Sequence, residues 1–191
     1  VDLIHLLTGP VAEDIRRTPG LKIASPKVPP GLFWLDFPEQ WNPKSPWADR
    51  RVRLAASHAL DRNAINQAET LGFSRPTGSL VPRFMDFALA IEPPVHDARR
   101  ARQLLAEAGY PNGFDAGTLT PFPPYFSMGE ALMSFLQDVG IRTRLQTMER
   151  AAFMSAWRDK KLNGVVMGLA GPQGNAATRL EPYVMKQGIY A

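Results

Sequence analysis

The side chains able to do chemistry are few and scattered. His5, His58 and His96 stand far apart, with no H-x-x-x-H spacing to bring two imidazoles to one metal, and each reads as structural or surface. There is no cysteine, which removes disulfides, thiol nucleophiles and thiolate-bound metals. No G-x-S-x-G elbow presents a serine nucleophile. The glycine-rich "GLAGPQGN" at 168–175 matches neither a G-x-x-x-x-G-K-S cradle nor G-x-G-x-x-G, so it reads as a flexible loop. No two carboxylates stand close in a suggestive pattern; Asp36 lies in a strand, with a surface or capping role as the default and a place facing a cleft as the alternative. No catalytic residue, metal ligand or cofactor is assigned on these grounds. Rings are the more distinctive feature: Phe33, Trp34, Phe37, Trp41 and Trp47 fall within 15 residues, either as core and loop packing or as the apolar wall of a cleft.

The elements that must position these residues come from periodicity and capping. A short strand in "VDLIHLL", a helix over Val11–Arg17 and a strand from Leu21 are expected first. "GLFWLDF" (Gly31–Phe37) reads as a strand, and "PEQWNPKSPW" (Pro38–Trp47) as a proline-rich loop. Asp49–Leu60 is helical, with Val52, Ala55, Ala56 and Ala59 on one face, and Asp61 caps a second helix over Arg62–Glu69. Leu71–Pro94 has no period and reads as a long irregular excursion.

From Asp97 onward the pattern alternates. Asp97 caps a helix whose Ala98, Ala101, Leu104, Leu105 and Ala108 share one arc, and which Gly109 and Pro111 terminate. A strand follows in "FDAGTLT". Ser127-x-x-Glu130 reads as a capping box opening a helix with Met128, Ala131, Leu132, Phe135, Leu136 and Val139 inward. Ile141–Thr147 alternates as a strand, and Arg150–Leu162 is a helix with Phe153, Met154 and Trp157 inward. Val165–Gly171 is a continuous apolar strand. This β-α-β-α-β run predicts an α/β fold with parallel strands and right-handed crossovers. Ligands then belong beyond the carboxyl ends of those strands, on Pro121–Ser127, Met148-Glu149 and Gly168–Arg179.

Composition narrows the class. The 191 residues carry a net charge of +4, with basic pairs such as Arg16-Arg17, Arg50-Arg51 and Arg99-Arg100 spread over helices among acids. They read as solvated surface and not as a nucleic-acid groove. No apolar run reaches the roughly 18 residues needed to span a bilayer, so no direct membrane insertion is expected. The chain begins at Val1 and stops at "QGIYA", and reads as a piece of a longer protein.

Three stretches carry a family resemblance: "PWADRRVRLAASHALDRNAI" (46–65), "DARRARQLLAEAGYPNGF" (97–114) and "FLQDVGIRTRLQTMERAAFMSAWRDKKLNGVVMG" (135–168). Together with "GLFWLDF" they resemble the peptide/nickel/opine class of ABC-transporter extracellular solute-binding proteins. The resemblance implies a periplasmic-binding-protein-like lobe with a mostly parallel central sheet flanked by helices. It implies residues 1–20 as a crossover from a first lobe, and 21–191 as the carboxy-terminal lobe, truncated at its end. It implies capture of a small organic or peptide-like solute between two lobes, delivery to an ABC permease, and a periplasmic or extracytoplasmic location. No catalysis and no cofactor are implied; the alternative is a hydrolase-like α/β enzyme with its site at the strand carboxyl ends. The expected ligand-binding residues are Trp34 and Phe37 on the strand entering the lobe, and Phe122, Tyr125 and Phe126 in the first ligand-side loop. Leu169, Gln173, Asn175 and Arg179 complete the set. With Glu149 and Arg179 as the only charges on these segments, a neutral or aromatic-rich solute is expected over a peptide with both termini charged.

Overall fold

The computed structural model of the chain describes residues 7–24, 31–171, 174–185 and 187–189. Its elements run α1 (Gly9–Arg17), β1 (Leu32–Asp36), α2 (Arg50–Ala59), α3 (Arg62–Thr70), α4 (Ala98–Glu107), β2 (Phe114–Pro121) and α5 (Phe126–Asp138). They continue with β3 (Ile141–Leu145), α6 (Arg150–Arg158), β4 (Val165–Ala170) and α7 (Ala176–Val184). Two 3-10 turns, Pro38–Trp41 and Pro46–Ala48, lie between β1 and α2.

Aspartates set three helix starts. Asp49, Asp61 and Asp97 each accept hydrogen bonds from the backbone N–H groups of the first turn that follows them, at Arg51, at Asn63 and Ala64, and at Arg100. Val52, Ala55, Ala56 and Ala59 are buried on one face of α2. Their small size lets α2 pack closely on α4, whose buried face is Ala101, Leu104 and Leu105. Gly109 takes the left-handed conformation, φ 95°, that stops α4.

The sheet has the order β1-β4-β2-β3. β2 pairs in parallel with both neighbours, Phe114 opposite Ile141 and Leu119 opposite Val165. β1 runs antiparallel to β4, with Leu32 opposite Ala170 and Asp36 opposite Val166. The expected parallel order of these three strands is therefore present. The two connections, β2-α5-β3 and β3-α6-β4, move in opposite directions across the sheet, so right-handed crossovers put α5 and α6 on opposite faces. The contacts agree: α5 packs against α2 and α3, while Trp157 of α6 lies 5.7 Å from Trp34 on the other face. Leu119, Val165 and Val166 are fully buried between these layers.

Several expectations need correction. Residues 21–24 form no strand, and Leu21 is exposed. The expected strand in "VDLIHLL" falls almost entirely outside the described residues, as does His5. Ser127 does not cap α5. That helix begins one residue earlier, behind Tyr125, and the Ser127 hydroxyl instead donates to Glu69 at 2.6 Å. α6 ends at Arg158, four residues short of Leu162, where Lys160 turns the chain at φ 55°. β3 ends at Leu145, two residues before Thr147.

Gly168 lies opposite Trp34 in the β1–β4 register. A Cβ there would sit 2.5 Å from the Trp34 ring and 2.7 Å from that of Trp157. The two indoles can pack against each other over this position only because it is bare. Gly168→Ala is expected to destabilise the chain by about 1–3 kcal/mol, from overpacking of a rigid ring pair. Urea unfolding checks it, and a shift of the midpoint with unchanged slope is the expected outcome.

Candidate functional site

Because β2, β3 and β4 are parallel, their carboxyl ends lie at one end of the sheet. The antiparallel β1 starts at that same end, where Phe33 is opposite Leu169. Three segments leave the strands there: Phe122–Tyr125, Gln146–Glu149 and the loop after Ala170. The edge they build is aromatic. Phe33 meets Tyr125 edge-on at 4.9 Å. Phe122 is buried beneath, edge-on to Phe153 of α6 at 5.4 Å. Tyr125, Phe126 and Leu169 are half-buried, as rings and chains at a ligand face tend to be.

The other expected binding residues fall elsewhere or are engaged. Trp34 sits in mid-strand, packed between Trp157 and Tyr183. Phe37 lies past the far end of β1, stacked on Trp47 at 4.2 Å, close to where β2 begins. Asn175 is exposed, and its side chain accepts from Ala177 and Thr178 N–H in a capping box at the start of α7. Arg179 is buried and pairs with no acid among the described residues: its Nε donates to Leu80 O at 3.0 Å and its Nη1 to Gly171 O at 2.7 Å. It thereby ties the long excursion to the loop after β4. Gln173 lies outside the described residues. The structure thus gathers Phe122, Tyr125, Phe126 and Leu169 at one edge, with Phe33 added.

Two charged groups at this edge escaped the sequence reading. Arg150, at the start of α6, lies with its guanidinium 5.1 Å from the Phe122 ring centroid. Its position directly after Met148-Glu149, which leave β3, was the available signal. Glu69, in the last turn of α3, reaches Ser127 from 58 residues away, for which no local signal exists. The Tyr125 phenol is pushed above its ordinary pKa by burial, and the Arg150 charge partly offsets that rise. Glu149 caps α6, accepting from Ala151 and Ala152 N–H. Among the described residues no three histidines or acids gather as metal ligands, and no helix is long and apolar enough to cross a membrane.

A separate cavity of about 120 Å³ opens at the opposite end, where β1 finishes. Asp36, Trp41, Trp157, Lys160 and Ile189 line it. Burial pushes the Asp36 carboxyl up to about 6, against the lowering effects of the Phe37 amide, the Lys160 charge and the Trp157 hydrogen bond. Lys160 also donates to the Gly188 and Ile189 carbonyls, mooring those two residues there.

A model of the family described as "Bacterial extracellular solute-binding proteins, family 5 Middle" matches residues 1–191. Heme-binding protein A of Haemophilus influenzae is 29% identical over 155 residues, 76% of this chain and 28% of that protein. Glutathione-binding protein GsiB of Escherichia coli (strain K12) is 31% identical over 154 residues, 75% of this chain and 30% of that protein. Among solved structures, the periplasmic binding protein DppA of Helicobacter pylori, in complex with peptide STSA, superposes with a TM-score of 0.77. It shares 20% sequence identity, and the match covers 89% of this chain and 32% of that one. The chain spans less than a third of the length of these curated relatives.

The Asp36 environment gives a pH test. Its folded pKa is raised, so the folded state takes up a proton between about pH 6 and pH 4 that the unfolded chain does not. Stability contributed by this group therefore rises as pH falls through that window. Asp36→Asn should stabilise at pH 7, by at most about 3 kcal/mol, and lose that gain by pH 4. Denaturant unfolding of both proteins across that range measures it.

Proposed function

The chain belongs to the bacterial extracellular solute-binding proteins of family 5, and we propose that it forms most of the carboxy-terminal lobe of a two-lobed receptor. That receptor captures a small organic or peptide-like solute outside the cytoplasmic membrane and hands it to an ABC permease. The observation that carries this reading is the half-buried aromatic edge where three parallel strands end, built from Phe33, Tyr125, Phe126 and Leu169 over Phe122. Flat rings arranged around an open strand end suit stacking on a solute, with specificity left to a few polar groups. Asn175 opens α7 beyond β4, and Arg179 ties Gly171 to Leu80. Trp34 and Phe37 act from further back, fixing β1 against its neighbours.

The enzyme reading draws no support. The relatives are binding proteins, and the acids at this edge are already engaged, Glu69 with Ser127 and Glu149 with the α6 amides. Catalysis would need an acid or base free to reach a substrate.

Exposed apolar residues concentrate on the excursion after α3. Phe84, Phe87, Leu89 and Ile91 are all exposed, Phe87 at 94%. The excursion is a shaped loop, closed by a hydrogen bond from Gly78 N–H to Ile91 O and by an Arg83–Glu92 ion pair. A ridge of this kind is costly in water unless something covers it. In a two-lobed receptor the remainder of the polypeptide covers it and encloses the solute.

Enclosure sets the expected affinities. One lobe supplies only part of the contact and no closure, so this chain should bind its solute at least about 100-fold more weakly than the full-length receptor. Calorimetry on both, with the solute that co-purifies with the full-length protein, measures the ratio. Equal affinities contradict the two-lobe reading.

A further inference from the structure

Arg179 stands where its own helix does not favour it. It lies in the first turn of α7, at the positive end of the helix dipole, and is only 4% exposed. A buried cation is costly unless it is paired. No acid among the described residues pairs with this one, and its Nη2 has no acceptor. Its partners are the Leu80 carbonyl, the Gly171 carbonyl and the face of Tyr183, 5.7 Å from the guanidinium carbon to the ring centroid. A guanidinium is planar and rigid, so two acceptors bound to one fork are fixed relative to each other. Here one acceptor belongs to the excursion after α3 and the other to the loop that leaves β4.

Little else holds the excursion by polar contact. Among the described residues the other hydrogen bonds of 75–93 are internal to that stretch, including Gly78 N–H to Ile91 O, Val81 N–H to Ser79 Oγ and the Arg83–Glu92 pair. The Leu80 carbonyl is the point at which a hydrogen bond from the rest of the described fold reaches it. Val81 beside it is buried, whereas Phe84, Phe87 and Leu89 further along are exposed.

We propose that Arg179 is a positioning residue that couples the excursion to the loop after β4, so that the order of each depends on the other. That this loop meets solute rests on the solute-binding reading; the coupling is a property of the chain alone. Arg179 then acts on solute through the loop and not by touching it. The remainder of the polypeptide, in covering the apolar ridge of the excursion, also steadies one of the three ligand-side segments. Coupling of this kind is reciprocal, so a disturbance at either end is felt at the other.

Amide hydrogen exchange followed by NMR on the 191-residue chain, without any solute, tests this. The reporters are the amides of Val81 in the excursion and Asn175 at the end of the loop. The Phe114 and Gln146 amides, which bond across β2 and β3, report on the core. Arg179→Gln should speed exchange about tenfold or more at both reporters and leave the core amides unchanged. Arg179→Lys, which keeps a charged donor, should restore part of the protection at both. Gly78→Ala approaches from the other end: its Cβ would meet Glu92 O at 2.6 Å inside the excursion. It should loosen Asn175 as well as Val81, and in an Arg179→Gln background it should loosen Val81 alone. The proposal is overturned if Arg179→Gln loosens one reporter only, or loosens the core amides by the same factor. It is equally overturned if Gly78→Ala leaves Asn175 unchanged, and this arm decides if Arg179→Gln does not fold. None of these results touches solute capture by the full-length receptor, which calorimetry tests separately.

Discussion

The parallel pairing of β2 with both β3 and β4 is the constraint on which the rest depends. Parallel neighbours cannot be joined by a hairpin, so α5 and α6 must carry the chain back across the sheet. Those returns oblige Leu119, Val165 and Val166 to be buried on both faces. They also oblige all three strands to finish at the same end. The aromatic edge exists because of this geometry: Phe122 and Tyr125 follow β2, Arg150 follows β3, and Leu169 closes β4. The antiparallel β1 adds to it only through its first residues, which brings Phe33 to Tyr125 and leaves Phe37 far away on Trp47.

The same alternation explains the two ends of β1. Phe33, Leu35 and Phe37 point to the face covered by the helical layer that includes α2 and α5. Trp34 and Asp36 point to the face covered by α6. Trp34 can lie flat there because Gly168 opposes it with no side chain. Asp36 is drawn into a small cavity by the same geometry, and burial raises its pKa. One strand therefore contributes a ring to the aromatic edge, an indole to the core and a carboxyl of raised pKa to the opposite end.

What could be read from the sequence was what local physics decides. Asp49, Asp61 and Asp97 cap helices through their own next turn, and the arcs Val52/Ala55/Ala56/Ala59 and Ala101/Leu104/Leu105 needed only periodicity. The parallel order followed from element spacing. Ser127 shows where local reading stops: its spacing to Glu130 fits a capping box, but Glu69 takes its hydroxyl across the fold. Arg179 and Arg150 show the same limit for charge. Each was an arginine on or next to a segment leaving the strand carboxyl ends, and only packing decides that one is buried against Leu80 and Gly171 carbonyls while the other lies exposed on a ring. No residue pattern near Arg179 or Leu80 announces a contact 99 positions apart.

The central claim is that solute meets this protein at the carboxyl ends of its parallel strands. Hydrogen-exchange mass spectrometry of the full-length receptor, with and without the solute that co-purifies with it, tests that claim most directly. The account predicts solute-dependent protection over residues 121–127 and 146–151, and in the loop after Ala170. Protection confined to 36–47 and 157–163, around the Asp36 cavity at the other end of the sheet, would contradict it.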